Sequence, residues 1–368
     1  MPTLDPQRWQ VALDLAAAWA DDGRVPAITL ATGTADRLHG PVSFGSLTVD
    51  GHAPLPPRPI YLVASITKPI VALGVLKLLE RGLATLGDRV VDYLPEFGKQ
   101  GKYGVELRHL LTHTSGLPDM VPSNLELRKA NAPLVRFLHE IYTLPLAFPP
   151  GRAVQYQSTG FLVLAEILQQ ITGRSCREFL RQEIFEPLGM VDTALGAPDD
   201  WFDAHIARIP EVRLETEQRL GKPWNWNSRY WRQLGAPWGG LLTTAEDLAA
   251  LAQCLLRGGD TTSGQSLWSP AALNAATTNQ LAALRDIPEE ERRCRPWGLG
   301  WRLNWPAHSA NFGDLLSHRT YGHWGATGTL LWIDPERCTF AIVLSTQPQE
   351  PTGFFLARLS NAIAAAWK

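Results

Sequence analysis

The chain has 368 residues, 45% of them hydrophobic and 19% charged, and a formal net charge of -2. This length allows a sizeable core in two structural regions, while the near-neutral charge without long basic runs argues against nucleic acid or an anionic membrane surface as a partner. No stretch reaches the roughly 20 apolar residues of a membrane span, and the N-terminus lacks the basic and apolar segments of a signal peptide, so we expect a cytoplasmic protein.

The predicted elements run from mixed helix and strand, through a long helical stretch, back to strands. Pro6 opens a helix with an apolar stripe, and strand-like residues precede a second helix that Gly82 ends. Helical periodicity dominates from about residue 90 to about residue 290. The strand-like segments are 27–30, 42–44, 61–63, 328–333 and 339–345, and a last helix is expected around 354–367. The simplest arrangement joins 1–90 and 290–368 into one α/β region, with 91–289 as an inserted, mostly helical region.

A serine and a lysine three residues apart open the second predicted helix. Ser65 and Lys68 project from one face, and the mostly apolar residues 69–79 bury the helix around them. A serine hydroxyl is a poor nucleophile until a neighbouring base takes its proton, and burial disfavours the ammonium form of lysine. The spacing therefore predicts a nucleophile beside its base. Taken alone, however, the pair is more typical of a helix-capping serine followed by a solvated lysine.

Two later motifs carry further side chains suited to chemistry. Tyr156 and Ser158 lie on a turn before a helical pattern, where catalytic side chains are often displayed. Near the end of the chain, a strand punctuated by glycines places His323 and Gly325 on one face and Trp324 on the other. Gly325 would let a substrate backbone approach closely.

The order Ser-x-x-Lys, Tyr-x-Ser and His-x-Gly resembles the serine β-lactamase and penicillin-binding-protein family, in particular its class C-like esterase and peptidase branch. Further stretches with the same likeness are 107–117, 239–248 and 297–301, and the resemblance covers nearly the whole chain from about residue 25. It implies an α+β fold in which an antiparallel sheet is flanked by terminal helices, with an inserted, mostly helical region. The site would then lie between the two regions.

By this resemblance, Ser65 is the nucleophile, Lys68 and Tyr156 share the proton transfers, and the backbone N–H groups of Ser65 and Ala326 form the oxyanion hole. A tetrahedral intermediate needs donors where its charge develops, and losing one donor costs about 3 kcal/mol. A phenol near an ammonium has its phenolate form favoured, so Tyr156 is a candidate to act first as base and then as acid. The sequence leaves open which of Lys68 and Tyr156 takes the first proton.

Two positions depart from the family pattern. Ser158 stands where the family most often has Asn, so a shorter hydroxyl replaces the amide that would hold an acylamino substrate. His323 stands where β-lactamases and transpeptidases carry a lysine, and a mostly neutral imidazole attracts a carboxylate weakly. With Trp324 and Gly325, these residues are the predicted substrate-binding set. The two changes favour a carboxylesterase with weak or no β-lactamase activity.

Two other classes of function stay open. A D-amino-acid peptidase, an amidase or a β-lactamase would need a group that reads the substrate terminus, for which Arg229, Arg232 and Arg319 are candidates. A non-catalytic binding protein or sensor would keep the fold without the chemistry, against which stands the presence of Ser65, Lys68 and Tyr156. For a hydrolase, the expected partner is a small-molecule ester, amide or β-lactam. The motifs leave the oligomeric state open.

The remaining motifs predict no cofactor and no metal site. His109 and His113 lie four apart on a predicted helix, but no H-E-x-x-H pattern and no third ligand accompany them, so we interpret them as structural. The four cysteines are spread without a C-x-x-C pair and are expected to be free thiols. No phosphate-binding loop and no dinucleotide-binding glycine pattern is present.

The segment 224–238 is unusually aromatic. We expect its rings to pack a long loop onto the helical region. An alternative hypothesis is that some of them, such as Trp226 or Trp231, join Trp324 in lining an apolar acyl pocket.

Overall fold

The structure, a computed structural model, describes residues 2–51, 53–204, 206–214, 224–305, 310–348 and 354–368. The helices among them are α1 Pro6–Asp21, α2 Thr67–Glu80, α3 Val90–Tyr93, α4 Leu107–Leu111, α5 Asn124–Lys129, α6 Leu134–Thr143, α7 Thr159–Thr172, α8 Cys176–Leu180, α9 Glu186–Leu188, α10 Asp199–Ala204, α11 Arg229–Leu234, α12 Ala245–Leu256, α13 Pro270–Ala276, α14 Glu289–Cys294 and α15 Phe354–Ala365. A short 3₁₀ turn over Ala64–Ile66 precedes α2.

The strands form two antiparallel sheets. They are β1 Ala27–Gly33, β2 Leu38–Gly45, β3 Tyr61–Leu62, β4 Ala194–Leu195, β5 Leu241–Thr243, β6 Arg302–Leu303, β7 Tyr321–Gly325, β8 Thr329–Asp334 and β9 Thr339–Ser345. The main sheet has the order β2-β1-β9-β8-β7-β6, and the small sheet has the order β3-β5-β4. In the main sheet, strands from both ends of the chain meet where β1 pairs with β9, with Ile28 opposite Ser345.

The main sheet separates two hydrophobic cores. Successive side chains of a strand point to opposite faces, so each strand supplies both cores. On one face, Ile28 and Leu30 of β1 pack with Trp19 of α1 and Leu359 of α15. On the other face, Ile342 of β9 joins the larger core, which contains the helices of the middle of the chain. The terminal helices therefore cover one side of the sheet and the other helices cover the opposite side.

Helix α2 lies inside the larger core rather than on its surface. Every residue from Thr67 to Leu78 is buried, and α7 packs beside the helix. A helix that is apolar on all sides is expected to be buried in this way. Because the helix is enclosed, Lys68 in its first turn is enclosed with it.

The main sheet holds the backbone that leads into the turn Ala64–Ile66. The hydroxyl of Thr327 donates to the carbonyl oxygen of Leu62 at 2.6 Å, and the hydroxyl of Thr329 donates to that of Val63 at 3.0 Å. Both threonines are fully buried. Buried hydrogen bonds of this kind fix the backbone because breaking one leaves a polar group without water.

The small sheet holds the same turn from the other side. The Val63 N–H donates to the Leu241 carbonyl at 3.0 Å, and the Thr67 hydroxyl accepts from the Leu241 N–H at 3.0 Å while donating to the Ala64 carbonyl at 2.6 Å. Ala64 has a φ of 45°, a left-handed conformation that is uncommon for alanine. Contacts from both sheets therefore maintain a backbone conformation that this residue does not favour.

The predicted α+β class and the predicted terminal elements are confirmed. Segment 27–30 lies in β1, segment 339–345 is β9, and the last helix is α15. The sequence missed β4, β5 and β6, which are too short to show alternation. The prediction that His109 and His113 share a helix is wrong, because α4 ends at Leu111 and His113 has a φ of 61°.

The proposed division of the chain into two regions stays a prediction. Among the described residues, we find no helix with both the length and the apolar character that crossing a bilayer requires.

We predict that Gly325→Ala destabilises the fold, because Gly325 packs directly on the turn Ala64–Ile66, which contains Ser65 and is called the serine turn below. A β-carbon at this position would lie 2.3 Å from the Val63 carbonyl oxygen and 3.1 Å from the Ala64 β-carbon. We expect the free energy of unfolding to fall by about 1–3 kcal/mol, as overpacking typically costs, in urea denaturation. Gly104→Ala is the matched control, because no atom lies within 4 Å of the added carbon. Equal stability of the two variants would contradict the predicted packing constraint.

Candidate active site

Ser65 and Lys68 are in direct contact. The Lys68 Nζ lies 3.1 Å from the Ser65 Oγ and also donates to the Trp238 carbonyl oxygen at 2.9 Å. Ser65 is partly exposed, whereas Lys68 is only 1% exposed. The pairing predicted from the i, i+3 spacing therefore has the geometry of a nucleophile beside a buried amine.

The surroundings of Lys68 are apolar and aromatic. Its Nζ lies 4.6 Å from the ring centroid of Tyr156 and 5.9 Å from that of Phe161. Among the described residues, no carboxylate pairs with this ammonium. A carbonyl dipole, a hydroxyl and the faces of aromatic rings are thus what stabilise its charge.

Tyr156 lies on the turn before α7, as predicted. The neighbouring Gln157 is fully buried and anchors this turn. Its amide donates to the carbonyls of His109 at 3.3 Å and Leu110 at 3.2 Å, and its backbone N–H donates to His113 Nδ1 at 3.0 Å. The position of Tyr156 therefore depends on hydrogen bonds made by the next residue.

The Tyr156 ring is part of an aromatic stack. Its centroid lies 4.7 Å from that of His113, with the rings 29° apart, and 6.0 Å from those of Trp297 and His323. The Lys68 ammonium faces the ring. Proton sharing between Lys68 and the Tyr156 hydroxyl stays a prediction, because the contact described is with the ring face.

His323 is a neutral, buried imidazole. Its Nδ1 lies 2.6 Å from the carbonyl oxygen of Trp324, and since a carbonyl only accepts, Nδ1 carries the proton. Burial, followed by the positive charges of Arg302 and Lys68, lowers the pKa of His323 well below its ordinary value. His323 Nε2 is buried and has no hydrogen-bond partner in the described part of the chain. This position therefore offers an acceptor where a lysine would offer a cation.

Ala326 follows β7 in the tight turn that leads to β8. The turn is closed by the Gly328 N–H, which donates to the Gly325 carbonyl at 3.0 Å, and Ala326 itself is exposed. Because Gly325 contacts the backbone of Val63 and Ala64, this turn lies against the serine turn. That placement suits the predicted pair of oxyanion donors, whose role stays a prediction.

Ser158 and Trp324, the other predicted substrate-binding residues, lie on different parts of the site. Ser158 is buried immediately before α7, and its N–H donates to the Asp119 carbonyl at 3.0 Å. Trp324 is partly buried and packs edge-to-face on Phe312, on the side of the terminal helices. Their contact with substrate stays a prediction.

Arg302 at the start of β6 is a site residue that the sequence analysis missed. Its Cζ lies 3.9 Å from the ring centroid of Trp324, 4.6 Å from that of Trp297 and 5.1 Å from that of Tyr156. Burial lowers the pKa of Arg302 to about 10, so it remains a cation at neutral pH. The sequence contained one signal for it, because Arg302 directly follows the stretch 297–301, which resembles the same family.

The arginines named from the sequence contact other groups. Arg229 pairs with the exposed Asp199 at 2.9 Å. Arg232 is buried and donates to the Pro210 carbonyl at 3.3 Å, and Arg319 is exposed. Arg302, rather than these three, is the arginine that packs on Tyr156.

His109 and His113 act as backbone acceptors. His109 Nδ1 accepts from the Glu106 N–H at 3.0 Å, and His113 Nδ1 accepts from the Gln157 N–H. Burial, and secondarily the charge of Arg108, lowers the pKa of His109 to about 4. The described residues contain no group of three or more His, Cys, Asp or Glu side chains arranged to hold a metal ion.

The aromatic segment packs mainly into the larger core. Trp224, Trp231 and Trp238 are buried there, and Trp226 is partly buried against it. This placement agrees with the expectation of a loop packed onto the helical region. The hypothesis that some of these rings line an acyl pocket stays a prediction.

The family model of the β-lactamases matches residues 12–366 of the chain. A protein of Escherichia coli K12 named "Putative D-alanyl-D-alanine carboxypeptidase" is 27% identical over 315 residues, which cover 79% of this chain and 70% of that protein. The crystal structure of a penicillin-binding protein homologue from Caulobacter crescentus covers the whole of both chains, with a TM-score of 0.81 and 24% identity.

A second solved structure, "EstCE1, a hydrolase with promiscuous acyltransferase activity", superposes with a TM-score of 0.76 at 19% identity and covers 97% of this chain and 98% of its own. At such identities the solved structures show a shared fold. The family match over nearly the whole chain shows more: the protein belongs to the β-lactamase family and is a serine hydrolase.

We predict that His109 makes the protein less stable in acid. Its pKa of about 4 in the folded state lies below the 6.5 of a free imidazole, so the unfolded chain binds the extra proton and stability is lost as the pH falls from about 6.5 to about 4. Between pH 7 and about pH 4.5, His109→Asn should lose about 2–3 kcal/mol less of its free energy of unfolding than the wild type. Urea unfolding at the two pH values measures the difference. Equal losses in both proteins would show that His109 is already protonated when folded.

Proposed function

We propose that the protein is a carboxylesterase that works through an acyl-enzyme on Ser65. The observation that carries the proposal is the 3.1 Å contact between the Ser65 Oγ and the Nζ of the buried Lys68. A serine becomes a useful nucleophile when a group at hydrogen-bond distance can take its proton. The expected substrate is a small-molecule ester, with amides and β-lactams as poorer substrates.

In the proposed first step, the Ser65 Oγ attacks the carbonyl carbon of the ester. Its proton moves to the neutral amine form of Lys68 or to the phenolate form of Tyr156, because the ammonium and the phenol must first release a proton to solvent before they can act as a base. The N–H groups of Ser65 and Ala326 stabilise the negative oxygen of the tetrahedral intermediate. The bond to the alcohol oxygen then breaks, and the alcohol leaves with the proton. Water attacks the acyl-enzyme by the same route, which releases the carboxylic acid and restores the Ser65 hydroxyl.

Two features of the site support an ester rather than a β-lactam as the preferred substrate. Ser158 provides no side-chain amide to hold an acylamino group. His323 is neutral, so it does not attract the carboxylate of a β-lactam as an ammonium would. An ester that has neither an acylamino group nor a carboxylate loses no binding energy at these two positions.

We predict that the protein forms a covalent adduct with a fluorophosphonate and gives a burst of p-nitrophenol from a short p-nitrophenyl ester. Both should disappear in Ser65→Ala, with turnover lowered by about 10³-fold or more because no other group replaces the nucleophile. Intact-protein mass and peptide mapping identify the modified residue.

Ser158→Ala is the matched control for this experiment, because it removes another hydroxyl near Tyr156 and should keep the adduct. An adduct that survives in Ser65→Ala would disprove the assignment of the nucleophile. No reaction in the wild type would favour the alternative of a binding protein or sensor.

A second candidate function is that of a peptidase that removes the last residue of a peptide, the residue that carries the free carboxylate. Arg302 favours this candidate. This arginine places a cation against Tyr156 and Trp297 and is only partly buried. A guanidinium can bind a carboxylate through two parallel hydrogen bonds. The name carried by the Escherichia coli relative agrees with this candidate.

We predict that Arg302→Met separates the two candidates. For a substrate with a free terminal carboxylate, kcat/KM should fall by about 10–100-fold, which corresponds to the loss of a hydrogen bond to a charged group. For a neutral ester, kcat/KM should change by less than about 3-fold. Arg302→Lys, which keeps the charge, should restore part of the loss. Equal losses for both substrates would mean that Arg302 only supports the aromatic stack.

A further inference from the structure

A second arginine is buried against aromatic rings, on α5. The Cζ of Arg128 lies 4.3 Å from the ring centroid of Trp231 and 4.6 Å from that of Trp224, and the two indoles are 5.5 Å apart. Arg128 is 7% exposed, Trp224 6% and Trp231 4%. We refer to these three residues as the Arg128 cluster.

The Arg128 cluster contains hydrogen-bond donors that lack acceptors. Arg128 Nε, Trp224 Nε1 and Trp231 Nε1 are all buried, and none of them has a hydrogen-bond partner in the described part of the chain. No carboxylate of the described residues forms an ion pair with Arg128. Buried donors are usually satisfied in folded proteins, so three of them around one cation call for an acceptor that the described residues do not supply, from water or from a ligand.

Arg232, which follows Trp231 on α11, provides a comparison. It is also buried and its Nε also lacks a partner in the described part of the chain, but its Nη2 donates to the Pro210 carbonyl at 3.3 Å and to the Asn227 side chain at 3.2 Å. Among the described residues, Arg128 makes no such hydrogen bond; its guanidinium contacts the two indole rings, and the Asp119 carboxylate favours its charge. Burial lowers the pKa of Arg128 to about 10, so the cluster still carries a full positive charge at neutral pH.

Two series of contacts link the Arg128 cluster to Lys68. On the arginine side, the Asp119 carboxylate favours the charge of Arg128, and the Asp119 carbonyl accepts the N–H groups of Ser158 and Thr159 at 3.0 and 3.1 Å. Ser158 is two residues from Tyr156, whose ring faces the Lys68 ammonium.

On the tryptophan side, Trp231 lies in α11, and the chain continues from this helix to the Trp238 carbonyl that accepts from Lys68. The Tyr230 hydroxyl donates to the Ala132 carbonyl at 2.8 Å and so ties α11 to the segment after α5. These contacts therefore place the Arg128 cluster beside the segments that contain Ser158 and Trp238.

We propose that the Arg128 cluster is a binding site for an oxyanion, a carboxylate or a phosphate, carried by the acyl part of the substrate. A guanidinium and indole N–H groups are donors only, so an anion with several acceptor oxygens satisfies them where a neutral apolar group leaves them unpaired. The binding of an anion stands on the cluster alone, whereas the link to the acyl group rests on the proposed esterase function.

The first experiment measures anion binding without turnover. Ser65→Ala protein is titrated with glutarate and with inorganic phosphate, and tryptophan fluorescence and calorimetry report saturation. We expect saturable binding that weakens by at least about 10-fold when Arg128→Met is added, because a charged hydrogen-bonding partner is lost. Lys129→Met is the matched control, because it removes an exposed charge next to Arg128 and should leave binding unchanged.

The second experiment measures selectivity in the otherwise unchanged enzyme. The p-nitrophenyl monoester of glutarate is compared with p-nitrophenyl butyrate, whose acyl group carries no charge. Arg128→Met should lower kcat/KM for the glutarate ester by about 10-fold or more and change that for the butyrate ester by less than about 3-fold. Trp224→Phe keeps a ring but removes one donor, and it provides a second test if the Arg128 variant fails to fold.

The outcomes separate the anion site from its assigned role. No saturable binding of glutarate or phosphate overturns the site. Binding of free anions without preference for the charged ester overturns the acyl assignment. Intact binding with no turnover of either ester overturns the proposed esterase function and leaves the anion site standing.

Discussion

The position of one buried ammonium constrains the whole site. Lys68 Nζ is held between the Ser65 hydroxyl at 3.1 Å and the Trp238 carbonyl at 2.9 Å, with the Tyr156 ring facing it. Among the described residues no carboxylate pairs with it, so these neutral partners alone fix its position. Helix α2, the turn before α7 and the segment after α11 must therefore be held in fixed relation to one another.

Hydrogen bonds from both sheets hold the serine turn in place and so maintain this fixed relation. Thr327 and Thr329 hold the turn from the main sheet, and Leu241 holds it from the small sheet. Ala64 keeps a φ of 45° within this clamp. A conformation that the chain would not adopt in isolation is thus maintained by packing, which is common where a nucleophile is displayed.

Two cations of the candidate site contact the Tyr156 ring. Lys68 Nζ lies 4.6 Å and Arg302 Cζ 5.1 Å from the centroid of this ring, while the nearby His323 is neutral. None of the described hydrogen bonds or ion pairs of Ser65, Lys68 and Tyr156 involves an Asp or Glu.

Local sequence pattern was sufficient wherever the structure depends on local geometry. The i, i+3 spacing of Ser65 and Lys68 predicted their contact, since residues three apart meet on one face of a helix. A strand-like run after a turn predicted β9, and the turn before α7 predicted where Tyr156 lies. The pattern failed at His113, which lies beyond the end of α4 in a left-handed conformation, and at β4, β5 and β6, which are too short to show a period.

Tertiary structure decided every contact between residues that are distant in the chain. Only folding brings the Trp238 carbonyl to Lys68, Arg302 to Tyr156, and Trp224 and Trp231 to Arg128. A sequence shows which arginines exist but not which one is buried without an acceptor, because that depends on how the helices and the sheet pack. The sequence by itself thus determined the contact between Ser65 and Lys68 and the class of fold, and the packing decided which charges surround these two residues.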